Sequence, residues 1–482
     1  MQAMIVKNFV NGSFAASQSE DTMPVRNPAT NEQLATLPLT TATEVDTAVQ
    51  TAQAAYPAWR RTPVVDRVQP LFRLKALLED HFEDISRTVT LECGKTLVEA
   101  RGEVRRGIEN VEVACGMPSL IQGWNNEDIA HGIDEHMIRQ PLGVVAAITP
   151  FNFPAMIPLW FLPYGVATGN SFILKPSEKV PLTSQKLFGL IEQAGFPSGV
   201  VQLVNGDADV VNTLIDHPLV RAVSFVGSTP VAKLVYARAT ANGKRAQCQG
   251  GAKNPVVIMP GVDVEGAANA MAESAFGCAG QRCLALSTAI TVGDMHKPFA
   301  EAMADLATSR RVGNGLDDDT EMGPVITEAS RQRIEGILAQ ADDGNGRFVV
   351  DGRGRRVDGH PAGHWIHPTV LNAEPGMLVA RDEIFGPVLS LMQAEDLDQA
   401  IDWVNDRAFG NMACLFTRDG KAAREFRHRA DAGNIGINIG VAAPMAFFPF
   451  SGWNESFFGD LHAQSRHGVE FYTQTKVVVE RW

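Results

Sequence analysis

The segment GQRC at residues 280–283 ends in a cysteine that is placed as a catalytic nucleophile would be. Small residues fill most of positions 275–280, so the backbone there can approach a substrate closely and point its N–H groups inward. Earlier in the chain, TPFNFP at residues 149–154 forms an apolar loop, stiffened by prolines, that presents the side-chain amide of Asn152. A thiolate at Cys283 and a fixed N–H donor at Asn152 would suffice to attack a carbonyl and stabilise the resulting oxyanion.

Each of these features also has a simpler interpretation. A single cysteine is more often a small apolar residue of the core, and an asparagine between two phenylalanines is more often a turn residue. Taken alone, neither Cys283 nor Asn152 therefore identifies an active site.

Two further stretches suit a nucleotide, although no G-x-G-x-x-G fingerprint follows any expected strand. Residues 172–178 (FILKPSE) predict a strand that ends in Lys175 and Glu178, and open α/β sheets bind ligands at the carboxyl ends of their strands. A glutamate there can accept hydrogen bonds from ribose hydroxyls and would repel a 2′-phosphate, which favours NAD over NADP. Residues 223–230 (VSFVGSTP) predict a strand, a turn and a helix start capped by Ser228 or Thr229, which could bind a pyrophosphate. An ordinary strand end and an ordinary helix cap are the alternatives.

The composition describes a globular chain of more than one core. At 482 residues, with 45% hydrophobic and 20% charged side chains, we expect two large domains and smaller elements. A net charge of −13 argues against nucleic acid or an anionic membrane as a partner. The six cysteines have no regular spacing, so they predict neither a disulfide framework nor a metal site, and they fit a reducing cytosol.

No segment predicts export or membrane insertion. The N-terminus lacks the apolar core and small-residue cleavage site of a secretory signal. Residues 140–174 contain no charged side chain, but prolines interrupt any helix long enough to span a bilayer. We interpret that stretch as a buried strand, an active-site loop and a buried helix of a cytoplasmic protein.

The hydrophobic pattern changes along the chain. Residues 66–92 have the spacing of one amphipathic helix. From residue 143 onward, short apolar runs alternate with helical stretches, and a second set begins near residue 254. This alternation indicates parallel strands with crossover helices in open α/β sheets. Residues 477–479 (VVV) predict an edge strand that pairs either with another subunit or in a local hairpin.

Five motifs taken together resemble the aldehyde dehydrogenase superfamily in order and spacing. They are TPFNFP (149–154), LKPSE (174–178), SFVGS (224–228), GQRC (280–283) and EIFGP (383–387). Within the superfamily the chain is most similar to the CoA-acylating methylmalonate-semialdehyde (malonate-semialdehyde) dehydrogenases. The stretches that carry this likeness are RRGIENV (105–111), GAKN (251–254), FGCAGQRC (276–283) and APMAFFPFSGW (443–453).

The resemblance implies an architecture. It is α/β and aldehyde dehydrogenase-like, with two open parallel-sheet α/β domains and a small β oligomerisation element. Residues 1–122 and 143–248 would form the NAD-binding domain, and residues 249–442 the catalytic domain. Residues 123–142 and 443–482 would form the bridging element of a homotetramer, a dimer of dimers.

The resemblance also implies roles for matched positions. Cys283 would be the nucleophile and Asn152 the oxyanion donor, together with the backbone N–H of Cys283. Arg106 and Arg282 would bind the substrate. NAD would be bound by Thr149, Phe151, Lys175, Glu178, Lys179, Ser228, Gly250 and Glu383. Coenzyme A would be the cosubstrate, and no metal is implied.

One departure from the hydrolytic members of the superfamily bears on the chemistry. Those enzymes carry a glutamate in a Glu-Leu-Gly-Gly-Lys context, and here QGGAK places Gln249 at that position. A neutral amide cannot accept a proton at physiological pH, and losing a general base costs about 10²–10⁴-fold in the assisted step. We therefore expect slow hydrolysis of an acyl-enzyme. A thiol with a pKa of about 8.5, such as that of coenzyme A, needs less help.

The two arginines suit a short aldehyde that carries a carboxylate. Arg282 adjoins the nucleophile, where a positive charge would also lower the thiol pKa. Arg106 has an alternative interpretation as one of several solvated charges, with Arg101 and Arg105, on a helix.

The expected activity is NAD-dependent oxidation of malonate or methylmalonate semialdehyde through a Cys283 thioester. Loss of CO₂ and transfer to coenzyme A would give acetyl-CoA or propionyl-CoA. Alternatives are a dehydrogenase that releases a free acid, one that acts on another acidic aldehyde, and a catalytically silent paralogue.

Overall fold

The computed structural model describes residues 4–342 and 347–482. Their strands, in chain order, are β1 (Met4–Ile5), β2 (Asn8–Val10), β3 (Ser13–Ala15), β4 (Thr22–Arg26), β5 (Gln33–Pro38), β6 (Trp124–Ala130), β7 (Ile133–Pro141), β8 (Val144–Ile148), β9 (Ser171–Lys175), β10 (Val201–Leu203), β11 (Val220–Val226), β12 (Arg245–Gln249), β13 (Asn254–Ile258), β14 (Leu286–Val292), β15 (Phe348–Val350), β16 (Thr369–Asn372), β17 (Val388–Ala394), β18 (Phe409–Gly410), β19 (Met412–Phe416), β20 (Asn434–Ile437), β21 (Trp453–Asn454), β22 (Phe457–Phe458) and β23 (Thr473–Glu480).

The helices of the same residues are α1 (Ala42–Trp59), α2 (Val64–Arg67), α3 (Gln69–Asp80), α4 (Phe82–Cys93), α5 (Leu97–Cys115), α6 (Met117–Leu120), α7 (Met156–Ala167), α8 (Pro181–Ala194), α9 (Ala208–Asp216), α10 (Thr229–Ala241), α11 (Val264–Phe276), α12 (His296–Ser309), α13 (Glu328–Ala341), α14 (Leu378–Arg381), α15 (Leu397–Asn405), α16 (Gly420–Arg429) and α17 (Ser465–Phe471). Short 3-10 turns cover Gly277–Gly280 and Gly293–Met295. No helix among these residues is long and apolar enough to cross a membrane.

The first large sheet has eight strands in the order β22-β12-β11-β8-β9-β10-β2-β3. The run from β12 to β10 is parallel, and β8 and β9 are buried along their whole length. A strand that is buried on both faces reads as a continuous apolar run, which is why β8 to β11 were predictable from the sequence.

The second large sheet has seven strands in the order β15-β16-β17-β14-β13-β19-β20. All of its pairs are parallel except β15 with β16. The two sheets confirm the predicted α/β fold class with open parallel sheets. A small sheet, β1-β5-β4, covers the N-terminal part of the described chain.

The predicted edge strand near the C-terminus pairs within its own chain. β23 runs antiparallel to β7 from Thr473 opposite Pro141 to Glu480 opposite Asp134, and β6 completes this three-stranded sheet. The local-hairpin alternative is therefore wrong, and β23 is an edge strand of this sheet, as predicted. Residues 443–482 also contribute β22 to the first large sheet, beside β12.

The uncharged stretch 140–174 folds as the sequence predicts, into a strand, a loop and a helix. β8 and β9 lie side by side, and α7 between them is apolar on every side and almost entirely buried. The amphipathic pattern of 66–92, in contrast, is two helices rather than one. The chain leaves helical geometry at His81 (φ −103°, ψ 15°), which separates α3 from α4.

Candidate active site

A sharp turn presents Cys283. Helix α11 ends at Phe276, and Cys278 and Ala279 then adopt left-handed backbone angles (φ 50° and 53°). Gly280 follows with φ 70°, and a Cβ there would lie 2.1 Å from the carbonyl oxygen of Gly386. Non-glycine residues in this region store strain, and such strain clusters at functional sites.

Two asparagine side chains fix the backbone of the nucleophile. Nδ2 of Asn254, at the start of β13, donates to the carbonyl oxygen of Cys283 at 2.8 Å. Nδ2 of Asn411 donates to the same oxygen at 2.7 Å. Because two donors engage this carbonyl, the peptide unit that follows Cys283 is held in place and the backbone that carries the thiol is anchored.

The thiol of Cys283 is protonated at neutral pH. Burial raises its pKa to about 12, and the Glu383 charge adds to this. Nearby backbone N–H groups and Arg282 oppose the shift without reversing it. Arg282 lowers the thiol pKa, as expected, but the cost of a charge in this enclosed position outweighs the neighbouring guanidinium.

Asn152 lies next to the nucleophile segment. Its side chain is buried, and Nδ2 donates to the carbonyl oxygen of Gln281 at 2.9 Å. Asn152 sits in the loop between β8 and α7, which leaves the first large sheet at the carboxyl end of β8. The fold thus brings together the amide and the thiol that the sequence singled out.

A cavity of about 290 Å³ opens beside Cys283. One wall is a face of α5, and the other walls come from the Asn152 loop, the nucleophile turn and residues 441–450. The rings of Phe153, Trp160 and Phe450 make much of it apolar, and Trp160 and Phe450 lie 4.6 Å apart between ring centroids. Such a volume accommodates a small substrate.

Both predicted substrate arginines line this cavity, and both already hold protein partners. Arg282 forms an ion pair with Glu99 at 3.1 Å, and its Nε lies 3.2 Å from Sγ of Cys278. Arg106 pairs with Glu109 at 2.9 Å and donates to the carbonyl oxygen of Pro444 at 2.6 Å.

The neighbours of Arg106 on α5 behave differently. Arg101 pairs with Glu83 and Arg105 with Glu79, and both arginines are more than 40% exposed. Arg106 alone of these three turns into the cavity. The interpretation of Arg106 as a solvated surface charge is therefore wrong.

Gln249 ends β12, a strand whose mixture of polar and apolar residues hid it from sequence analysis. Its backbone pairs with Phe457 of β22, and its Nε2 lies 3.4 Å from the carbonyl oxygen of Phe450. The buried amide therefore points toward a cavity-lining residue and supplies no carboxylate.

The carboxyl ends of β8, β9 and β11 meet at one edge of the first sheet and could hold a dinucleotide. Lys175 ends β9, and its Nζ lies 3.5 Å from Oε2 of Glu178. Burial raises the pKa of Glu178, but Lys175, a backbone N–H and Lys179 together lower it more, so the net shift is downward and the carboxylate is ionised. An ionised carboxylate at this edge can accept hydrogen bonds from ribose hydroxyls. Lys179 lies over the ring of Phe151 at 5.4 Å from the ring centroid.

Polar groups at the same edge lack protein partners in the described part of the chain. Oγ1 of Thr149, which follows β8, is buried without a hydrogen bond. Ser228 is the N-cap of α10, as predicted, but its side chain makes no capping bond. A helix N-terminus with uncommitted N–H groups fits a pyrophosphate, so these residues fit NAD.

Glu383 joins the cofactor edge to the nucleophile. Its Oε1 accepts a hydrogen bond from the N–H of Ala252 at 2.8 Å, in the loop that begins at Gly250. A Cβ on Gly251 would lie 2.3 Å from Oε2 of Glu383, so a larger residue there would displace this carboxylate. Burial raises the pKa of Glu383 to about 7.

Several charged residues that line the cavity, or that pair with a residue lining it, escaped sequence analysis. Lys95, Glu99, Glu103 and Glu109 lie on or just before α5. The one signal was Thr96 followed by Glu99, which form a capping box at the start of α5. The described residues contain no group of three or more His, Cys, Asp or Glu that could hold a metal ion.

Comparison with known proteins identifies the family. The model of the aldehyde dehydrogenase family matches residues 14–478. The chain belongs to this family, which confirms the resemblance drawn from its motifs. Its cysteine-centred cavity and its dinucleotide edge are the two parts that such an enzyme needs.

Three similar proteins are named for malonate semialdehyde or methylmalonate semialdehyde. A malonate-semialdehyde dehydrogenase of Halalkalibacterium halodurans is 47% identical over 99% of this chain and 98% of its own. A crystal structure of a methylmalonate-semialdehyde dehydrogenase from Oceanimonas doudoroffii matches with a TM-score of 0.97 and 42% identity, over 100% of this chain and 99% of that one. A Sinorhizobium meliloti 1021 protein described as a methylmalonate-semialdehyde dehydrogenase, complexed with NAD, matches with a TM-score of 0.98 and 39% identity, over 100% and 98%.

Proposed function

We propose that this enzyme oxidises malonate semialdehyde or methylmalonate semialdehyde with NAD and transfers the decarboxylated acyl group to coenzyme A. The observation that carries the proposal is one cavity that joins Cys283 to Arg106 and Arg282 while residue 249 is a glutamine. Relatives named for malonate semialdehyde, at nearly half identity over almost the whole chain, support this substrate over another acidic aldehyde.

The first step is attack of the Cys283 sulfur on the aldehyde carbon. Because the thiol holds its proton at neutral pH, that proton passes to a solvent water in the cavity as the carbon–sulfur bond forms and the carbonyl electrons move to the oxygen. The oxyanion that results is stabilised by Nδ2 of Asn152 and the backbone N–H of Cys283, provided that Asn152 exchanges its bond to the Gln281 carbonyl for one to the oxyanion.

NAD supplies the hydride acceptor when it is bound. Lys175, Glu178 and Glu383 would hold its two riboses, Ser228 its pyrophosphate, and Thr149, Phe151, Lys179 and Gly250 would border it. The oxidised acyl group is then left as a thioester on Cys283.

The substrate carboxylate accounts for the two arginines. A guanidinium group can bind a carboxylate strongly through two hydrogen bonds. Arg106 on α5 and Arg282 beside Cys283 both line the cavity. To bind substrate, each must weaken its contact with Glu99 or Glu109. In the thioester the carboxylate is β to the carbonyl, so its C–C bond can break to give CO₂ and an enolate that the oxyanion donors stabilise. Protonation of that carbon gives an acetyl or propionyl thioester.

The identity of the final acceptor follows from Gln249. An amide cannot deprotonate water, whereas the thiol of coenzyme A is partly ionised without help. Attack of that thiolate on the thioester carbonyl expels the Cys283 sulfur and completes turnover.

Assembly and location belong to the same proposal. We infer a homo-oligomer, a dimer of dimers, and the exposed apolar side chains of β6 and β23 support it. The division into NAD-binding domain, catalytic domain and bridging element that the sequence predicts is part of the same proposal. Six free cysteines in the described chain support a cytoplasmic location.

Replacement of the nucleophile tests this chemistry. Cys283→Ala should abolish NADH formation with malonate semialdehyde, because no hemithioacetal can form. Cys414→Ala, at a buried cysteine of β19 on the second sheet, is the matched control and should retain turnover. Substantial activity in Cys283→Ala would contradict the assignment.

A further inference from the structure

A buried ion pair lies directly beneath the Asn152 loop. Nζ of Lys95 is 2.6 Å from Oε2 of Glu103, and both side chains are at most 1% exposed. The same Nζ donates to the backbone carbonyl oxygen of Asn152 at 2.6 Å. Lys95 therefore touches the residue that carries the oxyanion donor, although it contacts neither the substrate cavity nor the cofactor edge.

The other oxygen of Glu103 binds the far side of the same loop. Oε1 accepts hydrogen bonds from the N–H groups of Ala155 (2.7 Å) and Met156 (3.2 Å), where α7 begins. The ion pair thus connects the carbonyl of Asn152 to the two N–H groups that close its loop.

Lys95 is held charged in this position. Burial lowers its pKa, but Glu103 and two nearby thiols raise it more, so the net shift is upward. Its Nζ also lies 4.0 Å from the ring centroid of Phe153, which follows Asn152.

Stability alone does not account for this arrangement. The attraction within a buried ion pair only roughly offsets the free energy lost when both charges are dehydrated. Replacing such a pair with apolar side chains of similar volume therefore often leaves the stability of the fold unchanged or increases it. A charged pair does, however, fix geometry, because the polar groups left by breaking it cannot find other partners. Here the geometry fixed is that of the loop presenting Nδ2 of Asn152 toward the nucleophile turn.

We propose that Lys95 and Glu103 are positioning residues that hold the Asn152 loop so that its side-chain amide meets the oxyanion formed at Cys283. The inference rests on the proposed function, since it takes Asn152 as the oxyanion donor. Neither residue exchanges a proton with the substrate, and both act through the placement of Asn152.

The test is the rate of the pre-steady-state NADH burst with saturating malonate semialdehyde and NAD. Lys95→Met should slow the burst roughly 10- to 100-fold, because a displacement of about 1 Å costs as much as losing most of an oxyanion contact. The KM for the aldehyde should change little, since Lys95 does not line the cavity. Glu103→Gln, which keeps an acceptor for the N–H groups but removes the charge, should slow the burst less.

A double-variant comparison separates positioning from a general loss of structure. In an Asn152→Ala background the oxyanion donor is already gone. Adding Lys95→Met to that background should therefore slow the burst further by less than about threefold, as expected for residues that act as a unit. If Lys95 had a merely structural role, Lys95→Met would slow the burst by the same factor in the unmodified enzyme and in Asn152→Ala.

Glu92→Gln is the matched control for Glu103→Gln. Glu92 is also a buried carboxylate, and it accepts from the N–H groups of Leu182 and Thr183 at the start of α8 rather than from N–H groups of the Asn152 loop. Its variant should leave the burst rate unchanged when NAD is saturating. Circular dichroism and thermal unfolding of every variant identify any that fails to fold, and Glu103→Gln then replaces Lys95→Met in the double-variant comparison.

The outcomes distinguish the role of Asn152 in the proposed function from the positioning role of Lys95 and Glu103. If Asn152→Ala leaves the burst unchanged, the oxyanion assignment within the proposed function is wrong. If Asn152→Ala slows the burst but Lys95→Met and Glu103→Gln have no effect, or cost equal factors in both backgrounds, the positioning proposal is overturned.

Discussion

At neutral pH the thiol of Cys283 keeps its proton, so the carboxylates near it decide whether a general base is available at the site. Three carboxylates line the cavity, and each is engaged: Glu99 with Arg282, Glu103 with Lys95, and Glu109 with Arg106. Each of these carboxylates already has a cationic partner.

Glu383 is the remaining carboxylate close enough to affect Cys283. Burial raises its pKa to about 7, a value that would suit a general base. Its Oε1 is committed to the N–H of Ala252, and the proposed function assigns its charge to the nicotinamide ribose. On this account Glu383 serves the cofactor and does not replace the glutamate that Gln249 lacks.

Restoring a carboxylate at residue 249 tests that reasoning. We expect Gln249→Glu to raise the rate of free-acid release without coenzyme A by about 10²–10⁴-fold, the usual contribution of a general base. The measurement is acid production during turnover in the absence of coenzyme A. Gln247→Glu, at a buried glutamine of β12 that donates to Ser224, is the matched control and should not release acid. An unchanged rate in Gln249→Glu would show that the missing base does not limit hydrolysis.

The sequence predicted the residues that resemble family motifs and missed those that act through tertiary contact. Cys283, Asn152 and Glu383 sit in short apolar or glycine-containing segments that stand out from their surroundings. Lys95 and Glu103 look like ordinary charges near a helix start, and only the packing of α5 against α7 reveals that they are buried.

At the level of elements, α5 does most to shape the cavity. Its inward face presents Glu99, Glu103, Arg106 and Asn110, at spacings of three or four residues that place side chains on one side of a helix. A capping box at Thr96 and Glu99 fixes where the helix begins. The position of each of these side chains along the cavity wall follows from that starting point.

Arg106 and Arg105 allow a matched comparison on this helix. Arg106→Gln should raise the KM for malonate semialdehyde about 10- to 100-fold, since a charge-assisted hydrogen bond contributes about 1.5–3 kcal/mol. Arg105→Gln, whose side chain pairs with Glu79 on the surface, should change KM less than about twofold. Steady-state kinetics with both variants check this, and equal KM values in the two would remove Arg106 from substrate binding.

The start of α8 carries a pH-dependent contact. Glu92 accepts hydrogen bonds from the N–H groups of Leu182 and Thr183, and burial raises its pKa to about 8 from a usual value of 4.5. The folded state therefore binds more protons than the unfolded chain between those values, so the free energy of unfolding should fall as pH rises from about 4.5 to about 8.

Thermal unfolding across that pH range checks the contribution of Glu92. In Glu92→Gln the decline should be shallower than in the unmodified enzyme, because the titrating group is gone. Glu44→Gln is the control, since Glu44 caps α1 with a lowered pKa and titrates below this range. Parallel profiles for Glu92→Gln and the unmodified enzyme would contradict the assignment.

Elements differed in how well the sequence predicted them. Strands β8 and β9 are continuous apolar runs because helices cover both of their faces. Strand β12 (RAQCQ) escaped because Gln247 is buried through hydrogen bonds to other side chains rather than by an apolar environment. The break at His81 left the apolar spacing of α3 and α4 nearly continuous, so no local signal marked it.

At the level of the whole molecule, the three-stranded sheet of β6, β7 and β23 exposes an apolar face. Trp124 lies opposite Met137, and Met137 lies opposite Val477, so these side chains share one face of the sheet with Val479. Trp124, Val477 and Val479 are 77%, 61% and 60% exposed. An exposed apolar patch of this kind marks an interaction surface, and the proposed homo-oligomer would cover it.

Charges on that face should break the assembly. We expect the double variant Val477→Lys/Val479→Lys to sediment as a smaller species than the unmodified protein, because lysines cannot be buried unpaired in an interface. Gln474→Lys lies on the opposite face of β23 and is the matched control. Identical sedimentation of the double variant and the unmodified protein would exclude this sheet as the oligomer contact.

The dependence of turnover on coenzyme A tests the central claim most directly. The measurement is mass spectrometry of the products from malonate semialdehyde and NAD, with and without coenzyme A. With coenzyme A, acetyl-CoA should form in step with NADH, and without it NADH formation should stop after about one equivalent per active site. Sustained turnover to a free acid at the same rate without coenzyme A would contradict the account.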